Sequence, residues 1–157
     1  MSALKYISNN LFDFDFHDAV LTLESFADNR LIVKADCLNI HKDAEQNPFE
    51  TDMEITSARL SFEACTIQLY EPPRAWKQDE NGRLYTDEPQ IVFGGDEAKA
   101  RFMEQIKQGV TVFDFGKKDE AVWYLDASSL PGFTVFFSSG NASIEWDDCK
   151  GPAWYVR

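Results

Sequence analysis

Residues 91–115 read Ile-Val-Phe-Gly-Gly-Asp-Glu-Ala-Lys-Ala-Arg-Phe-Met-Glu-Gln-Ile-Lys-Gln-Gly-Val-Thr-Val-Phe-Asp-Phe, and the apolar spacing changes twice along them. Ile91 to Phe93 is a short apolar run that ends at the pair Gly94-Gly95. From Asp96 to Gln108, Ala98, Phe102 and Ile106 recur every fourth residue and form one stripe of a helix. Asp96 and Glu97 complement the helix dipole at its start and Lys107 near its end, and Gly109 is a natural residue just past the C-terminus. Val110 to Phe115 then returns to an extended pattern. A single helix near 96–108 therefore stands between strands.

Outward from this stretch, both flanks read as short strands. Ala19 to Glu24 carries Leu21 and Leu23 on one face, and Leu31 to Ile40 follows after Ala27-Asp28-Asn29-Arg30, which predicts a hairpin. His41 to Asp52 is polar, aperiodic and contains Pro48, so it is expected to be a loop projecting from the body. In Met53 to Phe62 the apolar parity switches near Ser57, as a bulge or a bend from one sheet to another would require. Cys65, Ile67 and Leu69 alternate with Thr66, Gln68 and Tyr70 until Pro72-Pro73 ends the run. Trp76 to Gln78 and Arg83 to Thr86 flank Asp79-Glu80-Asn81-Gly82, where an Asn-Gly pair can supply positive φ angles for a second hairpin. Ala121 to Ala127, Phe133 to Ser138 and Ala142 to Trp146 continue as a meander, separated by Gly116, Pro131-Gly132 and Gly140-Asn141.

About ten strands and one helix, without alternation of the two, predict a mainly β, α+β fold: an antiparallel β-sandwich or a partly open barrel. The 157 residues form one domain, 1–157, with no internal repeat or linker. At this length folding buries roughly 70% of the unfolded chain's surface, so neither disulfides nor a metal is needed as a staple. Thirteen Phe, five Tyr and four Trp bring the aromatic share to 14%, and such residues fit a half-buried pleated surface.

The formal charge of −12 repels phosphate backbones and anionic lipid, so nucleic acid and membrane are not expected as partners. The same field favours encounter with a basic protein. Met1 to Asn10 has no apolar run of signal-peptide length, and no stretch approaches the ~20 apolar residues of a membrane helix, which predicts a cytoplasmic protein. Cys37, Cys65 and Cys149 are odd in number and lack a Cys-x-x-Cys pair, as expected of reduced thiols. Cys37 and Cys65 lie in apolar runs, whereas Cys149 reads as the exposed thiol.

Phe12-Asp13-Phe14-Asp15-Phe16-His17-Asp18 is the stretch richest in chemistry. If extended, it places Phe12, Phe14 and Phe16 on one face and Asp13, Asp15 and His17 on the other, about 6.6 Å between neighbours. Such a row could join a divalent metal site were His41 or Asp43 nearby. The plainer reading is an edge strand with a solvated face, and no metal or other cofactor is predicted. His17 followed by Asp18 suggests a base and its orienting carboxylate, but adjacent strand residues point apart, so that pairing needs a turn. A histidine hydrogen-bonded at a turn is the alternative. Burial and flanking carboxylates argue against a catalytic cysteine. Gly94-Gly95 has neither P-loop nor dinucleotide spacing, and Asp96 and Glu97 would repel a phosphate. Among 27 acids some acid–base pair is always found, so Glu145, Asp147, Asp148, Asp114 and Asp126 assign no catalytic role. Trp146 and Trp154 bracket a tail dense in aromatics and charge, the second place where a ligand contact is expected.

Phe16-His17-Asp18-Ala19, with the hairpin that follows and Ala58-Arg59-Leu60-Ser61-Phe62-Glu63 further on, resembles small bacterial proteins that open with an aromatic-His-Asp-Ser/Ala segment before a β-hairpin. Some of those are assigned as polymorphic-toxin immunity proteins. The resemblance covers the first half of the chain and transfers no catalytic residue; it implies an acidic protein that binds and blocks another protein.

Three functions are expected in turn: a non-enzymatic interaction domain, immunity-like, that meets a basic protein; a small-molecule-binding or enzymatic β-domain with an Asp/His pocket at Asp13, Asp15, His17 and Asp18; and a carbohydrate-binding module using Trp. Free strand edges also leave room for a homodimer.

Overall fold

The computed structural model describes residues 6–127 and 132–156. The strands are β1 (Tyr6–Ser8), β2 (Phe14–Asp15), β3 (Val20–Ala27), β4 (Arg30–Asp36), β5 (Asn39–Ile40), β6 (Met53–Ile55), β7 (Ala58–Phe62), β8 (Thr66–Glu71), β9 (Lys77–Gln78), β10 (Leu84–Tyr85) and β11 (Phe93–Gly94). Helix α1 (Gly95–Lys107) follows, then β12 (Val110–Lys117), β13 (Val122–Ala127), β14 (Thr134–Ser138), β15 (Ala142–Trp146) and β16 (Cys149–Pro152). The fold is mainly β with one α-helix, as the sequence predicts.

Ten strands form one antiparallel sheet in the order β1-β15-β7-β4-β3-β12-β13-β14-β8-β11. It folds over itself without closing into a barrel. Strand β12 is the crease. Its first residues pair with β3 (Val110 with Leu21, Thr111 with Val20), and the rest pair with β13 from Val112 to Lys117. A register shift between Val112 and Asp114 marks the bend, as a bulge would. The two leaves meet through aromatic edges: Phe62 on β7 lies 5.9 Å from Trp123 on β13 and 5.1 Å from Phe137 on β14, centroid to centroid. Helix α1 packs on β8 and β3 and buries Ala98, Phe102 and Ile106. Gly109 follows with φ +92°.

A second, four-stranded sheet has the order β16-β6-β5-β2. Its strands continue β15, β7, β4 and β3 of the large sheet, in that same order. Each long strand is therefore broken once and turned into a corner. The breaks fall at Asp18 and Cys37, with φ +68° and +60°, at Thr56-Ser57, and at Asp147-Asp148. Backbone bonds from Thr56 N to Asp148 O (2.8 Å) and from Ile55 N to Leu38 O (2.9 Å) hold the corner. Strands that change sheet through bends are the usual way to build such corners, and this one is the source of the parity switch at Ser57.

The β3–β4 hairpin turns on Asp28 and Asn29, both at positive φ, the conformation a two-residue turn needs. In the β9–β10 hairpin only Gly82 of the Asn-Gly pair has positive φ, while Asp79 Oδ1 accepts from the N–H groups of Asn81 and Arg83.

Four expectations are corrected. Leu31 to Ile40 is two strands, because Cys37 turns the chain; Cys37 is thereby exposed, and Cys149 is the half-buried thiol. In β8, Leu69 is exposed and Tyr70 buried, because β14 pairs Phe136 with Leu69 and Phe137 with Ile67, leaving Gln68 as an extra residue. The 41–52 loop is folded in, not projecting: Asn47 is buried and its amide donates to the carbonyls of His41 and Thr51, each at 3.1 Å. Gly116 lies inside β12, where an added Cβ would come within 2.9 Å of the Tyr124 hydroxyl; glycine here permits a close approach. The Pro131 turn lies outside the described residues. Among the described residues no helix is long and apolar enough to cross a membrane.

Candidate functional site

The small sheet has one apolar and one polar face. Phe14, Ile40 and Met53 are Cα partners across β2, β5 and β6, and all are buried. Phe14 stands edge-on to Trp146, 5.2 Å between centroids. By the alternation of strands, the next residues share the opposite face. These are Asp15, Asn39 and Glu54, again in direct register. One step further on the same side, His41 Nδ1 lies 3.3 Å from Asp52 Oδ2.

The C-terminal segment crosses this polar face. Ala153 N donates to Asp52 O at 3.0 Å, and a single turn of 3₁₀ helix, Trp154–Val156, follows. The Tyr155 hydroxyl donates to Asp52 Oδ2 at 2.5 Å. Asp52 Oδ1 accepts the Lys42 N–H at 2.7 Å. Burial opposes the charge on Asp52, yet the bonds from Tyr155, Lys42 and His41 together hold its carboxyl below the ordinary 3.8. Tyr155 is raised above the ordinary 10.0, first by burial, then by its bond to Asp52 and by the charges of Asp52 and Asp15. Tyr155 thus feels carboxylates from both strands that flank β5. Lys150 Nζ pairs with Glu54 at 3.3 Å on the near edge.

The predicted site residues divide among these surroundings. Asp15 belongs to the polar face, and its Oδ1 accepts the His17 N–H at 3.0 Å. The extended Phe12–Asp18 row is not formed. Leu11–Asp13 is a 3₁₀ turn capped by Asn10, so Phe12 faces solvent and only Phe14 and Phe16 are buried. Asp13 is held by the Asn10 amide at 3.2 Å. His17 turns away to the crease, its Nδ1 2.7 Å from the Phe113 carbonyl at the β12 bulge. That bond, against a weaker effect of desolvation, raises the imidazole above the usual 6.5, helped by Asp18, Asp15 and Asp114. Asp18 takes the positive φ that the sequence required for a pairing, and its Oδ2 reaches 3.7 Å from Nε2. His17 is thus a turn-anchoring histidine. Trp146 is core, 2% exposed and stacked on Tyr6 at 5.4 Å, which removes it as a surface contact, while Trp154 is exposed.

Sequence reading missed Asn39, Asp52, Glu54 and Tyr155. The parity switch at Ser57 was the available signal, since it places Glu54 on the face opposite Met53 and Ile55. Among the described residues no three of His, Cys, Asp and Glu gather as a metal-binding group, and neither histidine bonds a hydroxyl or thiol. Burial pushes the Cys65 thiol up to about 12, which leaves it un-ionised at neutral pH.

A different surface gathers apolar groups. Trp76, Leu84, Tyr85, Ile91 and Val92 are all exposed on the segment around the β9–β10 hairpin. Trp76 lines an open cleft of about 450 Å³ with Pro72, Pro73, Arg74, Glu71 and Asp126, and the Arg74 guanidinium lies 5.1 Å from its ring centroid. No protein-family model matches the chain, and neither a curated protein nor a solved structure matches it.

Proposed function

We propose that this chain is a non-enzymatic, cytoplasmic interaction domain whose 76–92 arm docks on a basic protein. The supporting observation is the five large apolar side chains held out of the core on that arm, with Trp76 54% and Leu84 70% exposed. A two-stranded ribbon buries little for itself, so its exposed aromatics are available as anchors at the centre of an interface. The rim favours a cationic partner. Asp79, Glu80, Asp87 and Glu88 outnumber Lys77 and Arg83, and Lys77 is already bound to Asp87 at 2.8 Å. Such a rim steers encounter and adds salt dependence. In the immunity-like form of this reading, the partner is a toxin that the arm blocks.

The test is affinity capture from the host at low and high salt, with the wild type beside a Trp76→Ser/Leu84→Ser variant of unchanged melting temperature. Recovery of one basic protein, weakened by salt and lost with the variant, supports the reading. Identical recovery by both chains, or a partner retained equally at high salt, overturns it.

A further inference from the structure

The polar face of the small sheet contains a side chain that no described residue satisfies. Asn39 is 1% exposed, and neither its Oδ1 nor its Nδ2 has a hydrogen-bond partner among the described residues. A buried amide left in that state loses its hydration with nothing in return, so its retention at the centre of a sheet needs a reason. Its flanking Cα partners are Asp15 on β2 and Glu54 on β6, and directly opposed residues of neighbouring antiparallel strands share a face. The buried amide therefore shares its face with a carboxylate on each neighbouring strand.

We propose that Asp15, Asn39 and Glu54 bind one hard divalent cation of the calcium class on the polar face of the small sheet. The donor set is all oxygen: two carboxylates and the Asn39 Oδ1, a combination suited to calcium, with water and backbone carbonyls completing its shell. Two negative charges match the ion's two positive ones. Strand partners stand about 5 Å apart at Cα, so Asn39 is the middle residue of the three, with Asp15 on one neighbouring strand and Glu54 on the other. The Asn39 Nδ2 is left to donate to a carboxylate, which satisfies both ends of the amide at once. Positive charge already collects here, since Lys150 rests on Glu54 at 3.3 Å. With its own side chain 66% exposed, Lys150 swings into solvent when the ion arrives. Magnesium fits less well, because it sheds water reluctantly and demands a strict octahedron. Zinc lacks its nitrogen and sulfur ligands, His41 being turned to Asp52 at 3.3 Å.

The experiment uses the full chain, stripped with a chelator and held at ~0.15 M monovalent salt to screen the acidic surface. Calcium chloride, then magnesium chloride, is titrated by calorimetry, with parallel thermal melts. One calcium ion per chain is expected, and the melting temperature rises by several degrees at ~100-fold excess over Kd. Asn39→Leu, close in shape and without a polar end, abolishes the calcium response while melting at or above the ion-free wild type. Should Asn39→Leu not fold, Asp15→Asn keeps the acceptor for the His17 N–H and lowers calcium affinity at least tenfold. A flat wild-type titration overturns the site and leaves an ordered water as the partner of Asn39. A calcium response unchanged in the folded variants overturns it too, as diffuse binding to an acidic surface.

Discussion

Tyr155 donates its phenolic hydroxyl to Asp52 Oδ2 over 2.5 Å, joining residues 103 positions apart. The bond ties the segment after β16 to the start of β6, at the end of the small sheet away from the corner. In Tyr155→Phe that donor is gone, the Asp52 midpoint climbs toward 3.8, and stability falls by about 1 kcal/mol, the ordinary worth of one hydrogen bond. Urea unfolding at neutral pH measures the loss.

The same pair fixes two pH limbs. The Asp52 carboxyl is depressed when folded, so its contribution is present above pH 3.8 and is lost as acid carries the pH down through the folded value. Tyr155 is raised above 10.0; its contribution is present below pH 10 and is lost as the pH rises toward the folded value. Urea midpoints plotted against pH should flatten at both ends in Tyr155→Phe. An unchanged profile would detach the tail from Asp52.

His17 titrates above 6.5 because its ring bonds the Phe113 carbonyl. Its stabilising effect is present below pH 6.5 and is lost as the pH rises through the folded midpoint. Imidazole proton shifts in NMR should place His17 above 6.5 in the native protein and near it in urea. A native midpoint at or below 6.5 contradicts the bond.

Phe62 joins the two leaves through Trp123, Phe137 and Phe115. Phe62→Ala should cost about 3–5 kcal/mol, the range for truncating a buried aromatic. Denaturant melts give the number, and a loss under ~1 kcal/mol would mean that the leaves close without it.

The thiols are graded by exposure. With a slow disulfide reagent Cys37 reacts first, Cys149 lags and Cys65 stays silent until the chain unfolds, since burial holds its pKa near about 12. Labelling of Cys65 at the native rate of Cys37 would contradict its place in the core.

Those elements whose signal is local were legible in the sequence. Ala98, Phe102 and Ile106 repeat within one helix, and Asp28-Asn29 turns a hairpin between adjacent strands. The parity switch at Ser57 announced the sheet-to-sheet bend because apolar residues must follow the core round a corner. Other features depend on distant partners. The bulge at Gln68 is set by β14, nearly seventy residues on in the sequence, and Cys37 turned outward only because β4 hands over to β5 there. Of the candidate site, Asp15 was within reach of sequence reading. Asn39, Asp52, Glu54 and Tyr155 come together through strand register and the returning tail, neither of which any spacing along the chain records. Phe12-Asp13-Phe14 misled, because the alternating pattern continues into a 3₁₀ turn capped by Asn10.

Strand β15 lies between β1 and β7 in the large sheet, and β16 forms the edge of the small one. Tyr6 to Ser8 must therefore wait for Ile144 to Trp146 before finding its neighbours. During synthesis β1 leaves the ribosome long before its partner β15 exists. Neither sheet can be completed until β15 and β16 have been made, so a chaperone that shields the earlier strands has its greatest effect before then.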